Sequence, residues 1–265
     1  MSEPFPRAAV RAMPKAELHV HLEGTVDAPT LLQLADRHGV RPPADDVEGV
    51  EAWYQFDGFP MFLERYLTVV GLLRDPDDFA LVAQRYLATA HEQGVVHVEF
   101  HVSATAHIAE NGSAWAPIHD GIADGCATAA AATGISWGLI PDVSPHLPAE
   151  VCARAMDQVF AHELAHVVAI GMGGPSDSWR TDDYSPIYAR ARALGIPAVA
   201  HAAEHGDASE IRFAIEQFQA VRIQHGIGVM EDPAVVAMLV DRGIPCDSGP
   251  STACSARFDP GHTSH

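Results

Sequence analysis

The sequence predicts a parallel α/β fold in which buried strands alternate with amphipathic helices. Apolar runs of strand length, rich in Val and Ile, recur along the 265 residues, and helical patterns with capping residues separate them. An alternation sustained over a whole chain implies a parallel sheet with helices packed outside it. The seven predicted strands lie at about residues 17–22, 95–101, 135–140, 166–172, 196–201, 221–225 and 244–247.

Helix boundaries are marked at three places between these strands. The pair Asp75-Pro76 opens a helix before the second strand, and an apolar face repeats along it at helical spacing. Asp207, with Glu210 three residues later, resembles a capping box for the helix before the sixth strand. Asp232-Pro233 begins a helix that Gly243 ends before the seventh strand.

A closed barrel fits this alternation better than an open, doubly wound sheet. No Gly-x-Gly-x-x-Gly sequence follows the first strand, which disfavours a dinucleotide-binding sheet. Histidines stand at the carboxyl ends of several predicted strands, where barrel enzymes build their active sites. Barrels of about 250 residues commonly form one domain. The expected fold is therefore a TIM-type (β/α)8 barrel.

An insertion between the first two strands is rich in aromatic side chains. Residues 53–66 include six of them, among them Phe62 and Tyr66 at a spacing of four residues. One interpretation is an active-site lid, and the other is a helical pair that docks on the barrel through such i, i+4 contacts. The two interpretations are compatible.

The charge balance restricts the partners that the chain can bind. It has 16 basic and 35 acidic residues, a formal net charge of −19 at pH 7. Such a surface repels phosphate backbones and anionic lipid headgroups, so neither a nucleic-acid polymer nor a membrane is an expected partner. A small neutral or cationic molecule fits better.

The cysteines indicate a reducing environment. There are four, at positions 126, 152, 246 and 254, and no two form a Cys-x-x-Cys pair. This pattern disfavours a disulfide framework, a zinc knuckle and an iron–sulfur site. The chain also has no signal-peptide core and no apolar run long enough to span a bilayer. We therefore expect reduced, mostly buried thiols and a cytoplasmic location.

Two histidines of the first strand have the spacing of metal ligands. His19 and His21 are two residues apart in an apolar-flanked run. Side chains i and i+2 of a strand lie on one face, so both imidazoles can converge on one metal ion. Imidazole nitrogens suit zinc. The alternative is a pair of hydrogen-bonded core histidines.

Further polar residues follow the fifth and sixth strands. The fifth ends in His201-Ala202-Ala203-Glu204, and the sixth ends in His225 followed by Gly226. A catalytic zinc needs several protein ligands and an open position, and His19, His21 and His201 supply three nitrogens. A nearby Glu204 could move protons, and His225 could orient or deprotonate the attacking water. These five residues predict a hydrolytic metal site.

Five motifs, taken in order, resemble the adenosine/adenine deaminase family, whose members are metal-dependent α/β-barrel enzymes that hydrolyse an exocyclic amine. The resemblance covers nearly the whole chain and is specific because the motifs occur together. They are Pro14-Lys15-Ala16-Glu17-Leu18-His19-Val20-His21-Leu22-Glu23-Gly24-Thr25, His97-Val98-Glu99-Phe100, Gly173-Gly174, His201-Ala202-Ala203-Glu204 and Arg222-Ile223-Gln224-His225-Gly226. Cytidine-type deaminases instead use a cysteine pair that this chain lacks.

The resemblance assigns a role to each motif. It makes the three histidines already named the ligands of one zinc ion, Glu204 the proton donor to the purine ring and His225 the residue that handles water. Gly174 would offer its backbone N–H to the purine. Glu23 stands where relatives that take the nucleoside often carry an aspartate that contacts ribose. The resemblance therefore implies that Glu23 contacts the substrate, and the alternative is a solvated carboxylate in a turn. His101 departs from the arginine usual in relatives.

The C-terminal segment departs from the family pattern. Residues 1–252 follow it as a deaminase barrel domain, whereas residues 253–265 form an aberrant tail. The family's eighth strand ends in an aspartate pair, whose first member is the fourth protein ligand of the zinc, and the chain has no such strand. We therefore expect an incomplete barrel that lacks one zinc ligand. A frameshift near Thr252 is one explanation, and a genuine short terminus is the other.

Three functions are compatible with the sequence. The first, implied by the resemblance, is zinc-dependent hydrolysis of adenosine or adenine to inosine or hypoxanthine and ammonia, in purine salvage. The second is a non-catalytic, truncated remnant with weak or no metal binding. The third is a barrel hydrolase that attacks another C–N bond. The sequence leaves the oligomeric state open.

Overall fold

Seven parallel strands in sequence order form the centre of the protein. The computed structural model describes residues 7–174, 182–204 and 207–247, and the predicted tail at 253–265 lies outside them. The strands are β1 (Lys15–His21), β2 (Val95–Val102), β3 (Ser136–Val143), β4 (Gly171–Met172), β5 (Ala198–Ala202), β6 (Ala220–His225) and β7 (Cys246–Asp247). All seven predicted strands are confirmed, with ends shifted by a few residues except at the fourth.

The strands pair in the order expected of a barrel. One sheet has the order β1-β2-β3-β4 and the other β5-β6-β7, with every pair parallel. A bridge between Ile170 and Ala198 joins the two sheets, where the Val199 N–H donates to the Ile170 carbonyl at 2.9 Å. Within the described residues β1 and β7 each have one strand neighbour. The sheet is thus a curled, seven-stranded part of a barrel.

The fourth strand is shorter than predicted. The apolar run at 166–172 predicts a full strand, but only Gly171 and Met172 form a regular one. Earlier in the run, Val167 bridges to Leu139 of β3, and Ile170 bridges to Ala198 of β5. Before Gly171 the segment, which lies between β3 and β5, pairs with each of them only through a single bridge, so it does not form a continuous ladder with either.

Eleven α-helices are described around the sheet. They are α1 (Arg7–Ala12), α2 (Ala28–Arg37), α3 (Val47–Trp53), α4 (Gly58–Val70), α5 (Pro76–Glu92), α6 (Ala104–Ala109), α7 (Trp115–Thr133), α8 (Ala149–Ala161), α9 (Ser185–Ala193), α10 (Ala208–Phe213) and α11 (Pro233–Arg242). Two predicted boundaries are confirmed. Asp75 and Asp78 form a capping box at α5, and α11 runs from the Asp232 cap to Gly243 in the left-handed conformation.

The capping box predicted for α10 is replaced by a different contact. Asp207 does cap the helix by accepting the Ser209 N–H at 2.9 Å. The Glu210 carboxylate accepts the Ala203 N–H at 2.7 Å. This buried glutamate therefore ties α10 to the turn that follows β5 rather than to its own N-cap.

The aromatic insertion forms helices, as one of its two interpretations expects. Residues 53–66 span the end of α3 and most of α4. The Phe62 and Tyr66 rings stack with centroids 5.9 Å apart, at the predicted spacing of four residues. In the described part of the chain, no helix is both long and apolar enough to cross a bilayer.

The described cysteines carry free thiols, as predicted. Cys126 and Cys152 are buried and Cys246 is exposed. Burial raises the pKa of Cys152 to about 11, so this thiol stays protonated at neutral pH. The fourth cysteine lies outside the described residues.

Helices α5 and α7 pack closely against each other because two glycines line their contact. A Cβ atom on Gly121 would overlap the Pro76 carbonyl, and one on Gly125 would overlap the Ala80 carbonyl. The two glycines are one helical turn apart, so they form a groove on α7 in which the α5 backbone lies. A side chain at either position would force the helices apart.

We expect Gly125→Ala to destabilise the protein by about 1–3 kcal/mol, the usual cost of inserting a methyl group into a packed contact. The control is Gly71→Ala, because Gly71 has a φ of −69° and its Cβ would meet neighbours at ordinary distances of 3.5 Å or more. Thermal melting should show a lower midpoint for Gly125→Ala only. An equal effect of both substitutions would contradict the close helix contact.

Candidate active site

Three histidine side chains converge at the carboxyl ends of β1 and β5. His19 and His21 are on β1, and His201 is on β5. The Nε2 atom of His201 lies 2.9 Å from Nε2 of His19 and 3.0 Å from Nε2 of His21. The structure thus brings together the three predicted metal ligands through the same nitrogen of each ring.

The Nδ1 atom of each of these rings faces an oxygen atom that can accept a hydrogen bond. His201 Nδ1 lies 2.7 Å from the Met172 carbonyl oxygen. Because a carbonyl only accepts, this Nδ1 carries the hydrogen and the Nε2 lone pair faces the other two histidines. His19 Nδ1 lies 3.4 Å from Asp247 Oδ1, and His21 Nδ1 lies 3.7 Å from Asp142 Oδ2. Such outer partners are typical of metal-binding histidines.

The chemistry of this donor set fits a metal ion. Nitrogens about 2.0–2.1 Å from a tetrahedral zinc are about 3.3 Å apart, close to the separations seen here. Burial, then His101, lowers the pKa of His21 to about 3, and burial with the neighbouring His19 lowers the pKa of His201. His21 and His201 are therefore neutral, which is the form that binds metal. The three Nε2 atoms lie close together and form a donor set for one cation.

Glu204 and His225 lie beside the three histidines, as predicted. The His225 ring centroid is 4.8 Å from that of His19 and 5.2 Å from that of His201. His225 Nε2 lies 3.6 Å from Glu204 Oε2, and the Glu204 side chain is 34% exposed. A carboxyl group that is open to the mouth of the barrel, with an imidazole next to it, can exchange protons with a bound molecule.

The backbone turns sharply at the ends of β5 and β6. Ala203 has a φ of 53° and His225 a φ of 68°, a left-handed conformation that is costly for residues other than glycine. The Glu210 carboxylate holds the Ala203 N–H in this turn, directly before Glu204. Glu210 therefore stabilises the left-handed turn that immediately precedes Glu204.

A buried aspartate next to the histidines has no counterpart among the predicted site residues. Asp142, near the end of β3, lies 2.8 Å from His101 Nδ1 through Oδ1, while its Oδ2 faces His21. Burial raises the pKa of Asp142 to about 7. A Cβ atom on Gly171 would overlap Asp142 Oδ1, so the carboxylate occupies space that only a glycine leaves open. The sequence signal that could have identified Asp142 as a site residue is its position near the end of a predicted strand.

Glu23 is buried in a hydrogen-bond network rather than solvated. Its Oε1 accepts from the Ser103 N–H at 2.8 Å and lies 3.0 Å from His107 Nε2, while its Oε2 accepts from the Tyr66 hydroxyl at 3.0 Å. Burial alone would raise the pKa of Glu23, but hydrogen bonds and charge from His107 lower it overall. The solvated-carboxylate alternative is therefore wrong, and the proposed substrate contact stays a prediction.

Gly174 lies two residues after β4 and close to the histidine cluster. Its φ of 119° favours glycine, and a Cβ there would approach Pro145 Cδ to 3.1 Å. A Cβ on the preceding Gly173 would lie 3.7 Å from His201 Cε1. The backbone at Gly173 therefore borders the site, and the N–H donation by Gly174 stays a prediction.

Comparisons with known proteins point to one family. An adenine deaminase from Bordetella avium is 37% identical over 234 residues, which cover 88% of this chain and 73% of that relative. An aminodeoxyfutalosine deaminase from Acidothermus cellulolyticus is 34% identical over 256 residues, covering 94% and 72%. A zinc-bound amidohydrolase structure from Burkholderia ambifaria is similar with a TM-score of 0.86 and 28% identity, covering 96% of this chain and 70% of that one.

The sequence profile of the adenosine deaminase family extends over most of the chain. It matches residues 14–258 and so includes all seven strands and every predicted site residue. It also agrees with the barrel expected from the strand–helix alternation. The chain therefore belongs to the adenosine deaminase family of barrel-fold hydrolytic deaminases.

Proposed function

We propose that the protein is a zinc-dependent aminohydrolase that converts adenine, or adenosine as the second candidate, to hypoxanthine or inosine and ammonia. The observation that carries the proposal is the convergence of three imidazoles through Nε2, with the Met172 carbonyl fixing the tautomer of His201. The relative from Bordetella avium is an adenine deaminase, which favours the base over the nucleoside. The aminodeoxyfutalosine deaminase extends the candidate substrates to other aminopurines.

His19, His21 and His201 would hold the zinc ion. When bound, zinc supplies the Lewis acidity that makes water nucleophilic at neutral pH. The resemblance adds an aspartate from a further strand as the family's fourth protein ligand. Zinc affinity depends on the number and geometry of such ligands.

The remaining residues would move protons and orient the purine. In the overall reaction a C–O bond forms at C6, the C–N bond to the amino group breaks, and the amine leaves as ammonia. Glu204 would donate a proton to the ring nitrogen. His225, whose Nε2 lies 3.6 Å from Glu204 Oε2, would take a proton from the attacking water and pass it to the leaving amine. The Gly174 N–H would bind the purine ring. By the resemblance Glu23 is a further candidate for substrate binding, and its carboxylate is buried and bound to Ser103, His107 and Tyr66.

The direct test is ammonia release from adenine and from adenosine by the zinc-loaded chain. The proposal expects turnover of at least one of them, with Glu204→Gln lowering kcat by about 10²–10⁴-fold, the usual contribution of a positioned acid. Zinc content should stay unchanged in that variant, because Glu204 is not among the proposed ligands. The exposed Glu231→Gln is the matched control and should retain full activity.

Two outcomes would favour the competing functions. No ammonia from either purine at saturating zinc would support a non-catalytic remnant. Hydrolysis of a different amine or amide, without action on either purine, would support a barrel hydrolase of another C–N bond. The cytoplasmic location remains a prediction from the reduced cysteines.

A second prediction concerns Asp142, which faces His21 and His101. Removing its negative charge by Asp142→Asn should weaken zinc binding about 10–100-fold, the usual cost of losing an outer partner of a metal-binding histidine. The measurement is competition for zinc with a chromophoric chelator. Asp124→Asn, an exposed position on α7, is the control. Equal zinc affinity in the parent, Asp142→Asn and Asp124→Asn proteins would mean that Asp142 does not orient His21.

A further inference from the structure

A second cluster of metal-binding side chains lies on the helices outside the sheet. His119 and Asp120 are in the second turn of α7, and His162 caps the C-terminus of α8. The cluster shares no residue with the group formed by His19, His21 and His201. It is therefore separate from the residues to which the proposed reaction assigns a role.

The three side chains present one atom each to a common point. His119 Nδ1 lies 3.0 Å from Asp120 Oδ1, His162 Nε2 lies 3.1 Å from the same oxygen, and the two nitrogens are 3.1 Å apart. Donors about 2.0–2.1 Å from one zinc ion would be separated by about 3.3 Å in a tetrahedral site. The triangle thus has the size of one face of a zinc coordination shell.

Hydrogen bonds alone cannot satisfy all three edges of this triangle. If both imidazoles donate to Asp120 Oδ1, the two N–H groups face each other across the third edge. If His162 instead donates to His119, the His119 lone pair faces the carboxylate oxygen. A cation at the centre would accept all three lone pairs at once. The arrangement is therefore better matched to a metal ion than to a hydrogen-bonded triad.

Burial gives the cluster a fixed side and an open side. The His119 side chain is 3% exposed, whereas His162 is 26% and Asp120 62% exposed. The rings of His119 and His162 pack edge to face with centroids 4.7 Å apart, which fixes both donors. Water can complete the coordination on the exposed side.

We propose that His119, Asp120 and His162 bind a divalent transition-metal ion of the zinc class, and that the ion clamps the start of α7 to the end of α8. Two nitrogens and one carboxylate oxygen form a donor set that zinc accepts. Binding through Nδ1 leaves the hydrogen on His119 Nε2, a buried atom with no hydrogen-bond partner in the described part of the chain. The site should therefore bind zinc more weakly than the central histidines, whose outer nitrogens face acceptors.

The test counts zinc ions bound per chain, by equilibrium dialysis of the intact protein against free Zn²⁺ followed by elemental analysis. His162→Gln removes one ligand at a partly exposed position and should lower the count by one. The matched control is His146→Gln, because His146 is an exposed histidine 3.2 Å from a single carboxylate, that of Glu110. The control should retain the full count.

The readout separates this proposal from the proposed catalytic function. The count should be lower by one in His162→Gln than in the parent whether or not the central site binds zinc, because His162 is not part of that site. Zinc should also raise the melting temperature of the parent chain more than that of His162→Gln. Identical counts and identical zinc-induced shifts in the parent, His162→Gln and His146→Gln proteins would overturn the proposal.

Discussion

The hydrogen bond from His201 Nδ1 to the Met172 carbonyl is the contact on which the central site depends. It fixes the tautomer of His201, and so decides that Nε2 presents a lone pair to His19 and His21. It also joins β5 to β4, which is only two residues long. The same bond therefore sets both the chemistry of the ligand and the position of the strand that carries it, at the junction between the two sheets.

The carboxylate that faces His21 Nδ1 belongs to a residue on a different strand. Asp142 reaches His21 from β3, across the position where β4 has Gly171 and therefore no side chain. Its other oxygen contacts His101, whose Nε2 in turn contacts the Gln224 side chain. Three strands thus contribute to holding one imidazole. Because Asp142 is buried, its charge is costly unless the histidines around it share a proton or a bound cation balances it.

The sequence predicts the candidate metal ligands better than it predicts the residues that orient them. His19, His21 and His201 follow from the two-residue period of a strand and from the rule that barrel sites form at strand ends. Asp142 obeys the same rule but lacks a histidine neighbour in sequence, and its role depends on an absent side chain at Gly171.

The remaining differences arise from contacts between distant segments. The length of β4 was overestimated because an apolar run does not reveal that its first residues pair with β3 and β5 only through single bridges. Glu23 is adjacent to a turn in sequence, yet donors from Ser103, His107 and Tyr66 surround it. Such burial depends on helices α4 and α6, whose positions no local pattern near residue 23 encodes.

Arg222 connects the site to the edges of the described sheet. From β6 it donates to the Leu18 carbonyl of β1 at 3.0 Å and to Glu99 of β2 at 2.6 Å, and its Nε lies 3.2 Å from Asp247 Oδ2 of β7. Asp247 in turn faces His19. One guanidinium thus neutralises two carboxylates and connects the paired strands β1 and β2 to the paired strands β6 and β7. Asp247, the outer partner of His19, is held from the neighbouring strand β6 by an arginine that also reaches β1. The geometry of the histidine cluster therefore depends on the curvature that brings β1 and β7 to the same arginine.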